Sequence, residues 1–359
     1  MILVVGAGPA GLAVAHYLQQ RGLPYQVLER HTVGYAWRNH YDRLHLHTLK
    51  QVSHLPGMPM PADYPAFPSA TQFQSYLEQY ARRLRLNIAC GVDVTRADWT
   101  GETWQLETSQ GAQSGTTLIV ATGIWSTPYR PEFTCEETFG GTMMHARDYH
   151  NPEPFQEQRV LVVGAGNSGT EIAVDLSEHG VATSIAIRSG TTFIPHPRHA
   201  PAVQAAAWFL RTAPRPAGEW LLRRVRRDFR PVGIQPPDGP LLETYPVVGY
   251  SLPDAVTARK ITLYGGIARF LPDGVQFADG RAASFDTVIL ATGYRPSLEF
   301  VAHELDFDTQ GWPRVDRYWR SRRNPQLICV GFRYPATEGW LQAIGRVART
   351  AVRGIPDQN

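Results

Sequence analysis

The chain has 359 residues, 43% of them hydrophobic, and a formal net charge of +3. It is long enough for two ordinary domains with sizeable cores and too weakly basic to point to nucleic acid. Three cysteines, Cys90, Cys135 and Cys329, stand far apart without a C-x-x-C, which excludes a redox dithiol of that type and a cysteine-rich zinc site and fits a reducing cytoplasm. No apolar run is long enough to span a membrane, and with an apolar strand beginning at Ile2 no signal peptide is expected.

Ile2 to Val5 reads as a buried parallel strand. Gly6, Gly8 and Gly11 follow in the spacing G-x-G-x-x-G, then a helical pattern closed by Gly22, then a second apolar run, Tyr25 to Leu28, ending in Glu29. Strand, helix, strand and an acid about 20 residues after the glycines make a dinucleotide-binding unit. Gly6 permits the tight turn, Gly8 admits a pyrophosphate to the backbone, and Gly11 lets helix and strand pack closely. The helix N-terminus offers free N–H groups to phosphate, and Glu29 can accept from a ribose hydroxyl.

A polar, aromatic loop with Trp37, Tyr41, Asp42 and Arg43 leads into residues 44–51, LHLHTLKQ, and a proline-rich loop over 55–68. Neither a regular helix nor an inner strand can contain so many prolines. Residues 70–86 regain helical spacing, with Phe73, Tyr76, Leu77, Tyr80 and Leu84 on one face. Strand-like runs cover 88–95, 103–108 and 116–121, the last closing on Ala121-Thr122-Gly123. Residues 124–158 read as a connection between domains.

The opening pattern then recurs over 160–189, with Gly164, Gly166 and Gly169, but its second strand ends in Arg188 instead of an acid. Helical and irregular sequence runs to about 255. Short strands are expected at 261–264, 268–271 and 275–277. Residues 285–293, FDTVILATG, echo 116–123 and close on Ala291-Thr292-Gly293. A strand at 327–330 leads to Gly331, and a helix over 338–352 finishes the chain.

The expected fold is α/β: two Rossmann-like dinucleotide-binding domains, an FAD-binding domain of residues 1–150 and 290–359 with an NADPH-binding domain of residues 151–289 inserted into it. Glu29 suits the free ribose of FAD. Arg188, with Ser189, either pairs with the 2′-phosphate of NADPH or is a solvated strand-end arginine; NADH is the alternative nucleotide.

Residues 139–149, FGGTMMHARDY, immediately precede the second glycine loop. Phe139, Gly141, His145 and Tyr149 fill a motif F-x-G-x-x-x-H-x-x-x-Tyr/Phe/Trp. On it, and on GAGPAGL, Trp37, YDRLHLH, the proline-rich loop, GAGNSGTEIA and ILATGYRP, the chain resembles the flavin-containing, class B flavoprotein monooxygenases, most of all bacterial relatives of the plant YUCCA-type enzymes. The resemblance implies an enzyme that uses NADPH to reduce FAD, adds O2 to the flavin as a C4a-hydroperoxide, and transfers one oxygen atom to a small soft nucleophile (amine or sulfide) or to a 2-oxo acid. The other reading is an NAD(P)H oxidase or acceptor reductase that releases peroxide.

The resemblance also implies site residues. His47 stands where eukaryotic relatives carry an active-site asparagine and is expected to line the site; Thr48, Lys50 and Gln51 are expected at the flavin edge. Trp37 either packs in the core or meets the flavin, and Trp125 either flanks the cofactor or follows a plain turn. His145 is expected to brace the connection. The final helix start, from Gly339 to Leu341, is expected to aim its dipole at the flavin, and Gly331-Phe332 lacks the Gly-Asp pair of thioredoxin reductases. The FAD-side set is thus Gly6, Gly8, Pro9, Ala10, Gly11, Glu29, Arg30, Ala36, Trp37, His47, Thr48, Gln51, Val94, Ala121, Thr122, Gly123, Trp125, Gly331 and Leu341. The NADPH-side set is Gly164, Gly166, Asn167, Ser168, Gly169, Glu171, Arg188, Ser189, Ala291, Thr292 and Gly293. No metal is expected. The partners are a small-molecule substrate and O2, with a homodimer allowed. Residues 219–230 read as a solvated basic helix, and His196, Arg198 and His199 as part of a nucleotide-side or substrate-channel loop.

Overall fold

The computed structural model describes residues 1–196, 214–237, 239, 246–309, 311–332 and 340–356. Two five-stranded parallel sheets form its frame. The first runs Leu327–Cys329, Thr117–Val120, Ile2–Val5, Tyr25–Glu29, Ile88–Cys90 across the sheet. The second runs Thr142–His145, Thr287–Leu290, Arg159–Val163, Ala182–Ala186, Ile261–Tyr264. Each strand has its counterpart in the other sheet, in the same order. Central strands such as Ile2–Val5 and Thr287–Leu290 are buried along their whole length, as parallel strands covered on both faces must be.

This order corrects the reading of 124–158 as a mere connection. Residues 142–145, counted by sequence with the first unit, are the edge strand of the second sheet, in the place that Leu327–Cys329 takes in the first. The expected strand 88–95 is also two strands, Ile88–Cys90 and Val94–Trp99, because Gly91 turns the chain at φ +75.

One face of the first sheet is covered by the helices Pro9–Gln20, Ala70–Arg83 and Trp340–Arg353. Arg21 Nη1 donates to the carbonyls of Val352 and Ile355 at 2.5 and 2.9 Å, capping the last helix. Phe73, Tyr76, Leu77 and Tyr80 are fully buried, as their spacing predicts. Ser69 and Gln72 close a reciprocal capping box at that helix's start. Tyr76 Oη accepts from the Leu55 N–H and donates to the Met58 carbonyl, and Tyr80 Oη donates to the Pro56 carbonyl, each at 2.7 Å. The proline-rich loop, poor in backbone donors, is thereby pinned to the core by phenols. The opposite face carries an antiparallel sheet of Val94–Trp99, Trp104–Thr108 and Gln113–Gly115.

The two crossings between the units lie side by side: Thr127–Pro128 pairs antiparallel with Tyr294–Arg295. Thr292 Oγ1 donates to the Tyr129 carbonyl at 2.5 Å, and the Tyr129 N–H donates to the Gly293 carbonyl at 2.9 Å. No helix among the described residues is long and apolar enough to cross a membrane.

Candidate active site and cofactor cradles

The two glycine loops are built alike. Gly6 has φ +104, and a Cβ there would stand 2.7 Å from the Ala121 carbonyl oxygen; Gly164 has φ +107 and the same 2.6 Å approach to the Ala291 carbonyl oxygen. A Cβ on Gly11 would fall 1.8 Å from the Gly6 oxygen, and one on Gly169 2.0 Å from the Gly164 oxygen. Gly8 and Gly166 differ from these: a Cβ on either meets nothing within 4 Å. Tight turn, open face and helix–strand contact therefore fall on the first, second and third glycine of each loop. The Ala-Thr-Gly echo gains a reason, since its alanine carbonyl is what the first glycine touches.

Neither glycine helix, Pro9–Gln20 or Asn167–Glu178, has a side-chain cap. Their first N–H groups are left for an external anion, helped by the dipole. Glu29, at the end of its strand, accepts from the Ala7 N–H at 2.7 Å and the His31 N–H at 2.9 Å. The carboxylate is held still, with lone pairs to spare for a ribose hydroxyl. A cavity of about 420 Å³ opens over this loop. Gly6, Gly8, Pro9, Ala10, Glu29, Arg30, Ala36, Trp37, Val94, Ala121, Thr122, Gly123 and Trp125 line it. Glycine cradle, uncapped helix, fixed carboxylate and cavity together fit a dinucleotide.

Trp37 lines the cavity and also packs in the core, edge-on against Phe73 at 4.6 Å and Trp125 at 6.2 Å. Several wall residues were not anticipated, among them His31, His40, Arg147 and Tyr294. His31 stacks on Tyr35 at 3.9 Å. Burial pushes the His40 imidazole down to about 4 against a weaker opposing pull from Glu171, so it is neutral near pH 7. Arg147 and Tyr294 come from the second unit and the crossing, so no local sequence signal places them on the first unit's cavity.

Other expected residues lie elsewhere. Leu341 is in the core against the first helix, Gly331 is buried with φ +91, and Gly339 lies outside the described residues. Thr48 shares a 2.6 Å hydrogen bond with Ser53, and Gln51 is exposed. Lys50 is taken up by the loop: Nζ donates to the carbonyls of Pro61, Ala62 and Tyr64 at 3.2, 2.7 and 2.5 Å. These residues, with His47, are not on the cavity wall.

In the second unit, Asn167 spends its side chain on its neighbours, donating to the Pro246 carbonyl at 3.1 Å and accepting from the Val248 N–H at 3.0 Å. Arg188 and Ser189 are exposed beyond the strand Ala182–Ala186, with Arg188 lying over Gly266. Thr292 and Gly293 belong to the crossing described above. His196 meets Phe67 edge-on at 4.8 Å; Arg198 and His199 lie outside the described residues.

Between the units, Tyr41 Oη donates to Glu171 Oε2 at 2.8 Å, His47 Nε2 donates to Glu171 Oε1 at 2.5 Å, and Arg43 pairs with Glu178 and, at 3.6 Å, with Asp175. Tyr149, the last residue of the linker motif, is buried and donates to Asp175 at 2.7 Å. His145 donates from Nε2 to the Gly293 carbonyl at 3.0 Å and accepts at Nδ1 from the Arg147 N–H at 3.1 Å. Both ring nitrogens are thus engaged in the neutral form, which burial also favours. His145 is a strut.

Two parallel sheets, two glycine cradles and an intervening motif strand define a protein with two dinucleotide-binding units. The family description "Pyridine nucleotide-disulphide oxidoreductase" matches residues 3–206. Indole-3-pyruvate monooxygenase YUCCA4 of Oryza sativa subsp. japonica is 33% identical, covering 99% of this chain and 88% of its own length; YUCCA1 of the same rice is 36% identical over 92% and 86%. The structure of a flavin-containing monooxygenase from Stenotrophomonas maltophilia superposes with a TM-score of 0.78 at 28% identity, covering 98% of this chain and 96% of that one. The chain belongs to this family of two-dinucleotide oxidoreductases, among its flavin-dependent monooxygenases.

Proposed function

We propose that this monooxygenase acts on a 2-oxo acid with an aromatic side chain. The reading is carried by likeness along nearly the whole chain to enzymes named for indole-3-pyruvate. Bound FAD and NADPH supply hydride transfer and the activation of O2. In this reading the first glycine helix and Glu29 hold FAD. The second glycine helix holds NADPH, with Arg188 on the 2′-phosphate. Trp37 and Trp125 keep water from the reacting region, and His47, held at the seam with the second unit and outside the wall of the Glu29 cavity, offers its Nδ1 to the reacting groups as a hydrogen-bonding atom.

The overall change balances as 2-oxo acid, O2, NADPH and one proton giving the acid one carbon shorter, CO2, water and NADP⁺. One oxygen atom enters the new carboxylate and the other leaves as water. We divide the chain into its two functional halves at the paired crossings near residues 127 and 295. The three free cysteines support a reducing cytoplasm as the compartment. A homodimer completes the reading and is checked by light scattering.

The test is turnover of indole-3-pyruvate and phenylpyruvate under ¹⁸O2 with catalase present, because free peroxide decarboxylates 2-oxo acids unaided. One ¹⁸O atom in the product carboxylate and one CO2 per NADPH are expected. NADPH oxidation without labelled acid, alongside a labelled oxide from an amine or thioether, would overturn the substrate assignment.

A further inference from the structure

Glu171 sits on the second unit's glycine helix, among the residues expected to contact the nucleotide. Both its oxygens instead face the first unit: Oε2 accepts from Tyr41 and Oε1 from His47 Nε2. Tyr41 is buried, while Glu171 and His47 have side chains only 20% exposed. His47 Nδ1 has no hydrogen-bond partner among the described residues.

We infer that Glu171 is a positioning residue for His47: its carboxylate fixes the imidazole proton on Nε2 and leaves Nδ1 as the working atom, so that the nucleotide-binding unit orients the active-site histidine of the FAD unit. The inference rests on the reading that places His47 at the reacting groups.

The physical reason is directional. A carboxylate can only accept, so the nitrogen facing it must carry hydrogen, and the tautomer is set. Tyr41 makes the clamp specific. Its hydroxyl is driven by burial, and further by Glu171, to stay protonated, and it therefore donates to the second oxygen and stops the carboxylate from rotating. Two other charged or titratable groups feel this carboxylate. Arg43 feels its charge, and His40, neutral near pH 7, does not compete for it. Every contact of the clamp crosses between the units. The histidine is therefore oriented only while the glycine helix that cradles the second nucleotide stands in this place.

The experiment uses the full-length holoenzyme, with two readouts. Histidine-selective ¹⁵N NMR, with His47 assigned by His47→Ala, reports the tautomer without turnover. The fraction of NADPH oxidation released as H2O2 reports how well oxygen transfer is coupled. Wild type is expected to show the Nε2–H tautomer at His47. Glu171→Gln, whose amide can also donate, should show a mixture and a coupled fraction about tenfold lower, the low end for losing a partner that orients a functional histidine. Glu171→Asp should restore part of the coupling and Tyr41→Phe should lose less. In a His47→Ala background, Glu171→Gln should change coupling by less than about twofold. An unchanged His47 tautomer in Glu171→Gln, or a full further loss on top of His47→Ala, would overturn the inference while leaving His47 at the site. Coupling as in wild type for His47→Ala would overturn the site reading itself.

Discussion

The two glycine units share a backbone and differ in how they finish. In both, the first glycine touches an alanine carbonyl, the second is open, and the third lies against the first. The first unit ends in a carboxylate locked by two backbone N–H groups; the second ends in an exposed arginine over a glycine. The loop geometry is what any dinucleotide needs, so it is duplicated. The strand-end residue is where the nucleotides themselves differ, so it diverges. A locked carboxylate suits a ligand that stays, whereas an exposed guanidinium suits one that arrives and leaves with each turnover.

The largest expected effect tests the shared geometry. Gly11→Ala puts a Cβ 1.8 Å from a backbone oxygen that cannot move aside, a clash above about 3 kcal/mol. The variant should lose FAD on gel filtration and its unfolding midpoint should drop. Gly169→Ala carries the matching clash, 2.0 Å, in the other unit. It should keep its flavin absorbance while the KM for NADPH rises. If both variants lose FAD equally, the division of labour between the loops fails.

Much of this was legible in the sequence because it is local. Glycine spacing, apolar strands, the Glu29–Arg188 contrast and the buried face of residues 70–86 all follow from short-range periodicity. What was not legible depends on strands distant in sequence. FGGTMMH reads as a turn-rich link, since nothing in Thr142–His145 announces a partner at Thr287–Leu290. Arg147 reaches the first unit's cavity only because the crossings lie side by side. Lys50, expected at the flavin edge, has its ammonium taken up by three carbonyls of the proline-rich loop. Glu171 looked like a nucleotide contact and turned out to face the other unit. Polar side chains at unit boundaries are the ones whose partners sequence does not name.

Acid sensitivity is built into the first unit's cavity. His40 lines the first cavity, with burial holding its imidazole at about 4 against an ordinary 6.5. The unfolded chain therefore takes up this proton first as pH falls. Stability is intact above about pH 6.5, erodes below it, and stops eroding on this account near pH 4. The gap of about 2.5 pH units corresponds to about 3 kcal/mol. His40→Gln should remove that part of the acid loss: the stability difference between variant and wild type, from urea melts at pH 7 and pH 4, should shift by about 3 kcal/mol in the variant's favour. A parallel pH dependence in the two proteins would show that His40 titrates normally. A smaller loss, about 2 kcal/mol, is expected from Tyr149→Phe, which removes a hydrogen bond to the buried Asp175 carboxylate. Arg43 and His179 still face that carboxylate, so its charge is not stranded. Guanidinium melts of the two proteins measure the difference.

The smallest effect bears most directly on the contrast between the strand ends. Arg188→Ala removes a guanidinium that is exposed and makes no ion pair among the described residues, so folding should change little. If Arg188 meets a 2′-phosphate, its loss should lower the ratio of kcat/KM for NADPH over NADH by about tenfold, or about 1.4 kcal/mol. That is modest because the contact is solvent-facing and screened by salt. The loss should shrink as ionic strength rises, whereas a packing effect through Gly266 would be indifferent to salt and would affect both nucleotides alike. Arg188→Glu should widen the change by adding repulsion toward the phosphate. Unchanged selectivity in both variants would leave Arg188 a solvated strand-end arginine, and the difference between the two units would then have to lie in residues other than their strand ends.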